Sequence, residues 1–230
     1  LTPLKLHMQG LSRLLKKGRD IDPERLMRMA DTADQQIGRL NRLVEDLLDV
    51  SRISAGLLKL NAEELDLADL VRETAERNRP QLSAAGNSLR LKILGSVWGS
   101  FDHLRIEQVL ANLLTNALKY APGTPVEVSL SQENGHAVLA VADGGPGIAA
   151  GDTAKIFDRF ERVGETGKSV SGLGLGLYII RQIVEAHGGR IAVEANDPRG
   201  ARFVVRIPLE NSHVALNPTP CPGPSPHLDH

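Results

Sequence analysis

The sequence predicts an α+β protein: a two-layer α/β sandwich preceded by an antiparallel helical hairpin. Three observations carry this expectation. Residues 1 to about 60 place apolar side chains at steps of three and four. Beyond them, short runs of period-two alternation are interleaved with amphipathic helical stretches, and the clearest strand-like runs fall in adjacent pairs, so that helices would cover one face of a sheet. The chain has 230 residues, 41% hydrophobic and 24% charged, enough for one full-sized domain and a smaller element.

The hairpin comes first. Leu4, Met8, Leu11 and Leu15 form one narrow seam, and Leu26, Ala30, Ala33, Ile37, Leu40, Val44 and Leu47 form a longer one. Between them, Gly18 ends the first helix, Asp22 caps the second and Pro23 occupies its first turn. Two such thin stripes bury little surface alone, and a four-helix bundle made by two chains is the economical arrangement; a hairpin folded back on its own domain is the alternative. The domain reading is therefore 1–57 hairpin, 58–210 α+β domain and 211–230 a proline-rich tail with the composition of a disordered segment.

In the α+β part the expected elements are a short strand near LLKLN, a helix over 68–79 ended by Pro80, a strand at SLRLKIL, and a helix over 104–120 stopped by Pro122 and Gly123. The strands PVEVSLS and HAVLAVAD follow, joined across QENG, a hairpin turn. A glycine-rich stretch leads to a helix over 174–187, and GRIAVEA and ARFVVRIPL supply a closing antiparallel pair.

Composition excludes several classes of function. With 27 basic and 28 acidic residues, a net charge of -1 gives no electrostatic reason to expect nucleic acid or an anionic membrane as partner. The single cysteine, Cys221, permits neither a disulfide framework within the chain nor a cysteine metal site, which fits a reducing cytoplasm. No apolar run approaches the ~20 residues of a membrane helix, so no membrane contact is expected from these residues. The chain opens on Leu1, already in helical pattern, and reads as a fragment of a parent protein that can itself be membrane-anchored.

Three constellations carry chemistry. The helix after Asp102 puts Ile106, Val109, Leu110, Leu113, Leu114, Ala117 and Leu118 on one face, leaving Asn112, Asn116 and Lys119 on an adjacent one. Amide oxygens are neutral hard ligands suited to magnesium, and a lysine can neutralise phosphate; a half-buried helix with a polar face is the alternative. Asp143 then ends a strand and is followed by Gly144, Gly145 and Gly147, where a backbone can approach a flat ligand and a carboxylate can accept a hydrogen bond from an exocyclic amine. A tight turn would use the same glycines. Finally, Gly172, Gly174 and Gly176 alternate with leucines ahead of an amphipathic helix, whose bare amides suit an anion. The spacing is neither the dinucleotide GxGxxG after a strand nor the P-loop.

Together and in this order the motifs resemble the nucleotide-binding domain shared by gyrases, heat-shock chaperone ATPases, histidine kinases and mismatch-repair ATPases, the Bergerat or GHKL fold. The resemblance implies ATP as ligand with magnesium. It implies nucleotide contacts at Asn112, Asn116, Lys119, Tyr120, Asp143, Gly145, Gly147, Ile148, Phe157, Phe160, Gly172, Leu173, Gly174, Leu175 and Gly176, with magnesium on Asn116. IFDRFERV looks like the F box of histidine kinases, the stretch up to Ser171 like an ATP lid, and Arg162 like an arginine that reaches the γ-phosphate; Lys119 and Arg162 would handle charge in catalysis.

LVEDLLDVSRISAG and LTPLKLHMQGL resemble the dimerisation hairpin of sensor histidine kinases, whose phosphate-accepting histidine would fall three to six residues before Leu1. His7 lacks the acidic neighbour of that acceptor and reads as a helix-surface histidine, while His187 sits at a helix end, where it can favour the dipole. The implied activity is phosphoryl transfer from ATP to a histidine and then to an aspartate of a response-regulator receiver domain, in a homodimer formed through residues 1–57. This fragment, without the acceptor, is expected to bind ATP without phosphorylating itself.

Two departures stand out from the family pattern. Gly144 stands where many relatives have asparagine, at an open motif position, and Ala201 stands where many have threonine, losing a hydroxyl contact worth ~1 kcal/mol. Three rival functions compete with the kinase. ATP-hydrolysing relatives carry a glutamate one turn before the magnesium asparagine; here that position is Asn112, which favours a kinase. A degenerate dimerisation and docking module would bind nucleotide weakly or not at all, and a serine-directed protein kinase would share the nucleotide site but not the hairpin.

Overall fold

The computed structural model describes residues 23–161 and 173–209. The expectations for the first hairpin helix, Gly18, Asp22, His7, Arg162, Gly172 and the tail lie outside the described residues. The elements are α1 (Pro23–Ser54), β1 (Glu63–Asp66), α2 (Leu67–Ala84), β2 (Leu89–Ile93), β3 (Trp98–Phe101), α3 (His103–Tyr120), β4 (Val126–Glu133), β5 (His136–Asp143), a 3-10 turn (Lys155–Phe157), α4 (Gly176–Ala186), β6 (Arg190–Ala195) and β7 (Ala201–Pro208).

Five strands form one sheet in the order β2-β4-β5-β7-β6, and β1 pairs with β3 in a separate ribbon. The β4–β5 hairpin turns through Asn134 and Gly135, both at positive φ (49° and 75°), the geometry that matches the twist of the flanking strands. One pairing in this sheet is not antiparallel: β2 runs parallel to β4. The connection between them carries β3 and α3, and such a crossover delivers the second strand in the same direction as the first.

Helices α2, α3 and α4 cover one face of the sheet. Their buried side chains meet Val126, Val128, Leu130, Leu139, Val141 and Val205 in a single core, with Ile179, Ile180, Ile183 and Val184 of α4 fully enclosed. Among the described residues, the opposite face carries Val138, Ala140 and Val204 as a small buried cluster. Beside Val204 on β7, Arg202 pairs with Glu194 and Arg206 with Glu133; long arginine stems can shield such a strip while their charges stay wet.

Three local expectations are corrected. LLKLN is not a strand; the first strand is EELD, four residues long and held by β3, an element with no counterpart among the expected strands. Helix α2 does not stop before Pro80 but runs through it to Ala84. Proline removes one backbone donor, yet Leu82 in the following turn is fully buried, and the amides of Ala85 and Asn87 close onto the carbonyls of Gln81 and Leu82. Burial of that last turn outweighs the lost hydrogen bond. Helix α4 begins at Gly176, because Gly174 has φ +70° and stands outside it.

His187 also differs from expectation. It is buried, and its Nε2 accepts a hydrogen bond from the Asp102 N–H (3.1 Å), so the proton sits on Nδ1, which donates to the Ile183 carbonyl (2.8 Å). The ring therefore closes the end of α4 as a neutral donor rather than as a cation. Asp102 in turn caps α3, accepting from the Arg105 N–H (3.1 Å), and holds the linker through the Asn61 N–H (2.7 Å).

Helix α1 docks on α3 through a polar clamp. Asp49 accepts from the Arg105 guanidinium (2.9 Å) and the Gln108 amide (2.7 Å), with side-chain exposures of only 7% for Asp49 and 18% for Arg105. Val50 and Ile53 rest against the core. Further up α1, Ile37, Leu40, Val44 and Leu47 remain exposed.

Burial holds the His187 ring below its ordinary value of 6.5. The folded state keeps the ring neutral while the unfolded chain takes up a proton, so the stability gained is complete above the unfolded value of 6.5 and is lost as pH falls through the folded one. Urea midpoints at about pH 7.5 and about pH 5 are expected to fall with acidification, and the fall is expected to be smaller in His187→Gln. An equal fall in both proteins would place the titrating group elsewhere.

Candidate functional site

Asp143 ends the central strand β5 and is buried. Its Oδ1 accepts from the amides of Gly145 (2.9 Å) and Ala201 (3.3 Å), and its main-chain carbonyl accepts from the Asn196 side-chain amide (2.9 Å). These bonds fix the carboxyl plane and leave Oδ2 available to a ligand donor. Backbone packs directly on backbone here. A Cβ on Gly200, at φ +126°, would lie 1.8 Å from the Asp143 carbonyl oxygen, and one on Gly145 would lie 2.8 Å from the Ala121 Cβ.

The Asp143 loop thereby abuts the end of α3. Thr124 joins the two, donating to the Ala121 carbonyl (2.8 Å) and accepting from the Gly144 N–H (3.3 Å). Asn87 braces the same corner, its amide donating to the carbonyls of Ala121 (2.7 Å) and Thr124 (2.8 Å). Ala201, at the position where many relatives carry a hydroxyl, presents its amide to Asp143 and a buried methyl.

Along α3 lies a cleft of about 710 Å³. Asn112, Asn116, Lys119 and Tyr120 line its α3 wall, and Leu173, Gly174, Leu175 and Gly176 line the wall at the start of α4. The volume suits a nucleotide-sized ligand. Asn112 Nδ2 is buried with no hydrogen-bond partner, an orphaned amide on the α3 helix that lines the cleft. A Cβ on Gly176 would meet nothing within 4 Å, so the α4 N-terminus is open to an incoming group.

The structure thus brings together eight of the residues singled out in the sequence. Of the others, those among the described residues stand apart from the cleft lining. Asp143, Gly145 and Gly147 form the adjoining corner, with Gly147 at φ +79° against the Gly200 carbonyl. Ile148 packs on the core, Phe157 is buried within it, and Phe160 is exposed at φ +64°.

The third wall had no motif to announce it. Gln36, Arg42, Leu43, Glu45 and Asp46 of α1 face the cleft opposite α3. Burial pushes the Asp46 carboxyl above its ordinary value, neighbouring Asp49 adds to the rise, and Lys119 opposes it. Asn87, Thr124 and Asn196 were likewise unmarked by any ligand chemistry.

A sheet covered on one face by helices, a carboxylate at the end of its central strand, and a helix of asparagines facing a glycine-lined helix start define an ATP-binding domain of the kind shared by kinases, gyrases and chaperones. Comparison with known proteins agrees. The family described as "Histidine kinase-, DNA gyrase B-, and HSP90-like ATPase" matches residues 101–211, and the "His Kinase A (phospho-acceptor) domain" matches residues 2–56. The alginate biosynthesis sensor protein KinB of Pseudomonas aeruginosa is 35% identical over 205 residues, 88% of this chain and 34% of that protein. The Acinetobacter baumannii histidine kinase AdeS superposes with a TM-score of 0.69 at 27% identity, covering 91% of this chain and 95% of that one. The mycobacterial sensor histidine kinase MprB is 31% identical over 64% of this chain and 97% of its own, with a TM-score of 0.57. The chain belongs to the sensor histidine kinases. It spans about a third of the length of the curated relatives it matches, and among the described residues no helix is long and apolar enough to cross a membrane.

The close approach of Gly200 to Asp143 gives a sharp contrast between glycines. Gly200→Ala is expected to lower unfolding free energy by ~3 kcal/mol or more, because neither backbone can yield without breaking the β5–β7 ladder. Gly176→Ala, in open space, is expected to change it by less than ~1 kcal/mol. Denaturant unfolding of the two variants checks both.

Proposed function

We propose that the cleft binds ATP with magnesium and serves transfer of the γ-phosphoryl group to the family's phosphate-accepting histidine, which is not among these residues, for onward passage to an aspartate of a response-regulator receiver domain. The observation that carries this reading is the convergence on one cleft of the α3 asparagines and the bare amides of residues 174–176. Asp143 Oδ2 accepts the exocyclic amine of adenine, in a corner tight enough to read a flat ring. The amides at the α4 N-terminus receive phosphate, and Lys119 neutralises charge beside them. Arg162 is proposed to approach the γ-phosphate from the lid.

The donor chemistry fits magnesium. Among the described residues no group of three or more His, Cys, Asp or Glu gathers to hold a metal, and the cleft offers instead the neutral oxygens of Asn116 and Asn112. A hard cation bound there needs phosphate oxygens to complete its shell, which is how magnesium is usually held at nucleotides. When bound, the ion supplies charge neutralisation across the phosphates. Asn112, in place of a carboxylate, gives the cleft no general base for water one turn before Asn116, which favours transfer over hydrolysis.

The exposed apolar stripe of α1, from Leu26 through Leu47, supports homodimerisation through residues 1–57 as a four-helix bundle. The response regulator enters as the acceptor that the family implies.

Calorimetric titration with a non-hydrolysable ATP analogue and magnesium tests the reading. The chain is expected to bind, Asp143→Ala to lose binding, and Asn116→Ala to weaken it at least ~10-fold and to lose its magnesium dependence. Absence of binding in the unaltered chain would favour a degenerate docking module. Steady ATP turnover at the rate of the chaperone or mismatch-repair ATPases would favour a hydrolase.

A further inference from the structure

We propose that Arg159 and Tyr178 act as a positioning clamp that holds residues 174–176 in the register that receives the triphosphate. The inference rests on the nucleotide reading of the cleft and adds two residues, Arg159 within IFDRFERV and Tyr178 two residues after Gly176, to which the motifs give no role. The Arg159 guanidinium donates to the Tyr178 hydroxyl at 2.6 Å, and its central carbon lies 4.6 Å from the centre of the Tyr178 ring. Two interactions thus join one pair of side chains, a hydrogen bond and a cation over an aromatic face.

The placement of this pair is what gives it consequence. Tyr178 lies in the first turn of α4, two residues after Gly176, and packs on the core beside the fully buried Ile179 and Ile180. Arg159 lies in the segment after Phe157, the last core anchor on that side. From there to Glu161 every residue is exposed, Phe160 included, at 62%. No apolar burial fixes these residues.

Polar contacts fix them instead. The Phe160 N–H donates to the Gly174 carbonyl at 3.0 Å. Gly174, at φ +70°, sits so close that a Cβ would lie 2.8 Å from the Glu161 carbonyl oxygen and 2.9 Å from the Phe160 carbonyl carbon. Phe160 itself is held at φ +64°, a left-handed conformation unusual for a side chain of that size. Such a conformation persists only where its surroundings impose it. The Arg159–Tyr178 pair is a direct side-chain link that ties this strained backbone to a rigid helix, and Gly174, which lines the cleft, lies between the two anchors. Release of the clamp would free Gly174 to move relative to α4, whose N-cap residue Leu175 stays anchored in the core, and would leave the Asp143 corner untouched.

The consequence is selective for phosphate. Binding of AMPPNP with magnesium is measured by calorimetry and binding of adenosine by NMR chemical-shift titration, on the unaltered chain and on Arg159→Met, Arg159→Lys, Tyr178→Leu and Tyr178→Phe. The expected result is ~10-fold weaker AMPPNP binding in Arg159→Met and in Tyr178→Leu, with adenosine affinity within about twofold of the unaltered chain and, for the exposed Arg159→Met, an unchanged ligand-free melting temperature. Arg159→Lys and Tyr178→Phe, which keep the cation and the ring respectively, are expected to recover part of the loss. The double variant Arg159→Met, Tyr178→Leu is expected to lose no more than either single change, as for two groups acting through one contact. Unchanged AMPPNP affinity in the two truncating variants, or parallel loss of AMPPNP and adenosine, would overturn the clamp. Failure of the unaltered chain to bind AMPPNP would overturn the nucleotide reading instead.

Discussion

A single carboxylate oxygen holds the corner on which the rest of the site is built. Asp143 Oδ1 accepts amide hydrogens from Gly145, just past the end of its own strand, and from Ala201, at the start of β7. Those two bonds join the loop after β5 to the neighbouring strand, and the Asn196 amide adds a third tie at the Asp143 carbonyl. A buried carboxylate is tolerated only where donors surround it, and here the donors are the fixed backbone groups of the sheet end. With one oxygen consumed in structure, the other is aimed by it. The glycines follow from the same constraint, since Gly200 and Gly145 approach this carboxylate or its neighbours too closely for any Cβ.

From that corner the order propagates along α3. Asn87 and Thr124 lock the end of the helix, while Asp102 and His187 lock its beginning to the end of α4. A helix pinned at both ends presents Asn112 and Asn116 at defined positions one turn apart. The Asp49 clamp on Arg105 and Gln108 then fixes α1 against the same helix. A buried ion pair of this kind adds less to stability than to geometry, because desolvation offsets much of the attraction. Its effect is to bring Asp46 and Arg42 to the mouth of the cleft. Asp46 of α1 and Lys119 of α3 lie within electrostatic reach of each other in the cleft.

Much of the fold was legible because it is written in short-range periodicity. The apolar steps along α3 and α4 and the alternation in β4 and β7 each report a face, and the structure buries that face. Three features escaped for the same kind of reason. The ribbon strands β1 and β3, four residues each, are too short to show a period, and they exist because they find one another. Pro80 carries a strong local preference to end a helix, which is overridden by the burial of Leu82 two residues later. The parallel pairing of β2 with β4 depends on where a long crossover through β3 and α3 delivers the chain, and neither strand's own residues encode it.

The site divides along the same line. The order of Asn112 and Asn116, Asp143 with its glycines, and the glycine-leucine run before α4 was sufficient by itself to determine the family and the class of ligand. Each motif is local, and the chemistry needs those residue types at those spacings. What only the tertiary structure decided is which groups share the cleft and which support it from behind. Phe157 turned inward to the core and Phe160 outward to solvent, Gly200 came to rest on Asp143, and a helix far upstream of Asn112 closed the third wall with Gln36 and Asp46. These contacts join residues distant in sequence, and their energies exist only after the chain has collapsed.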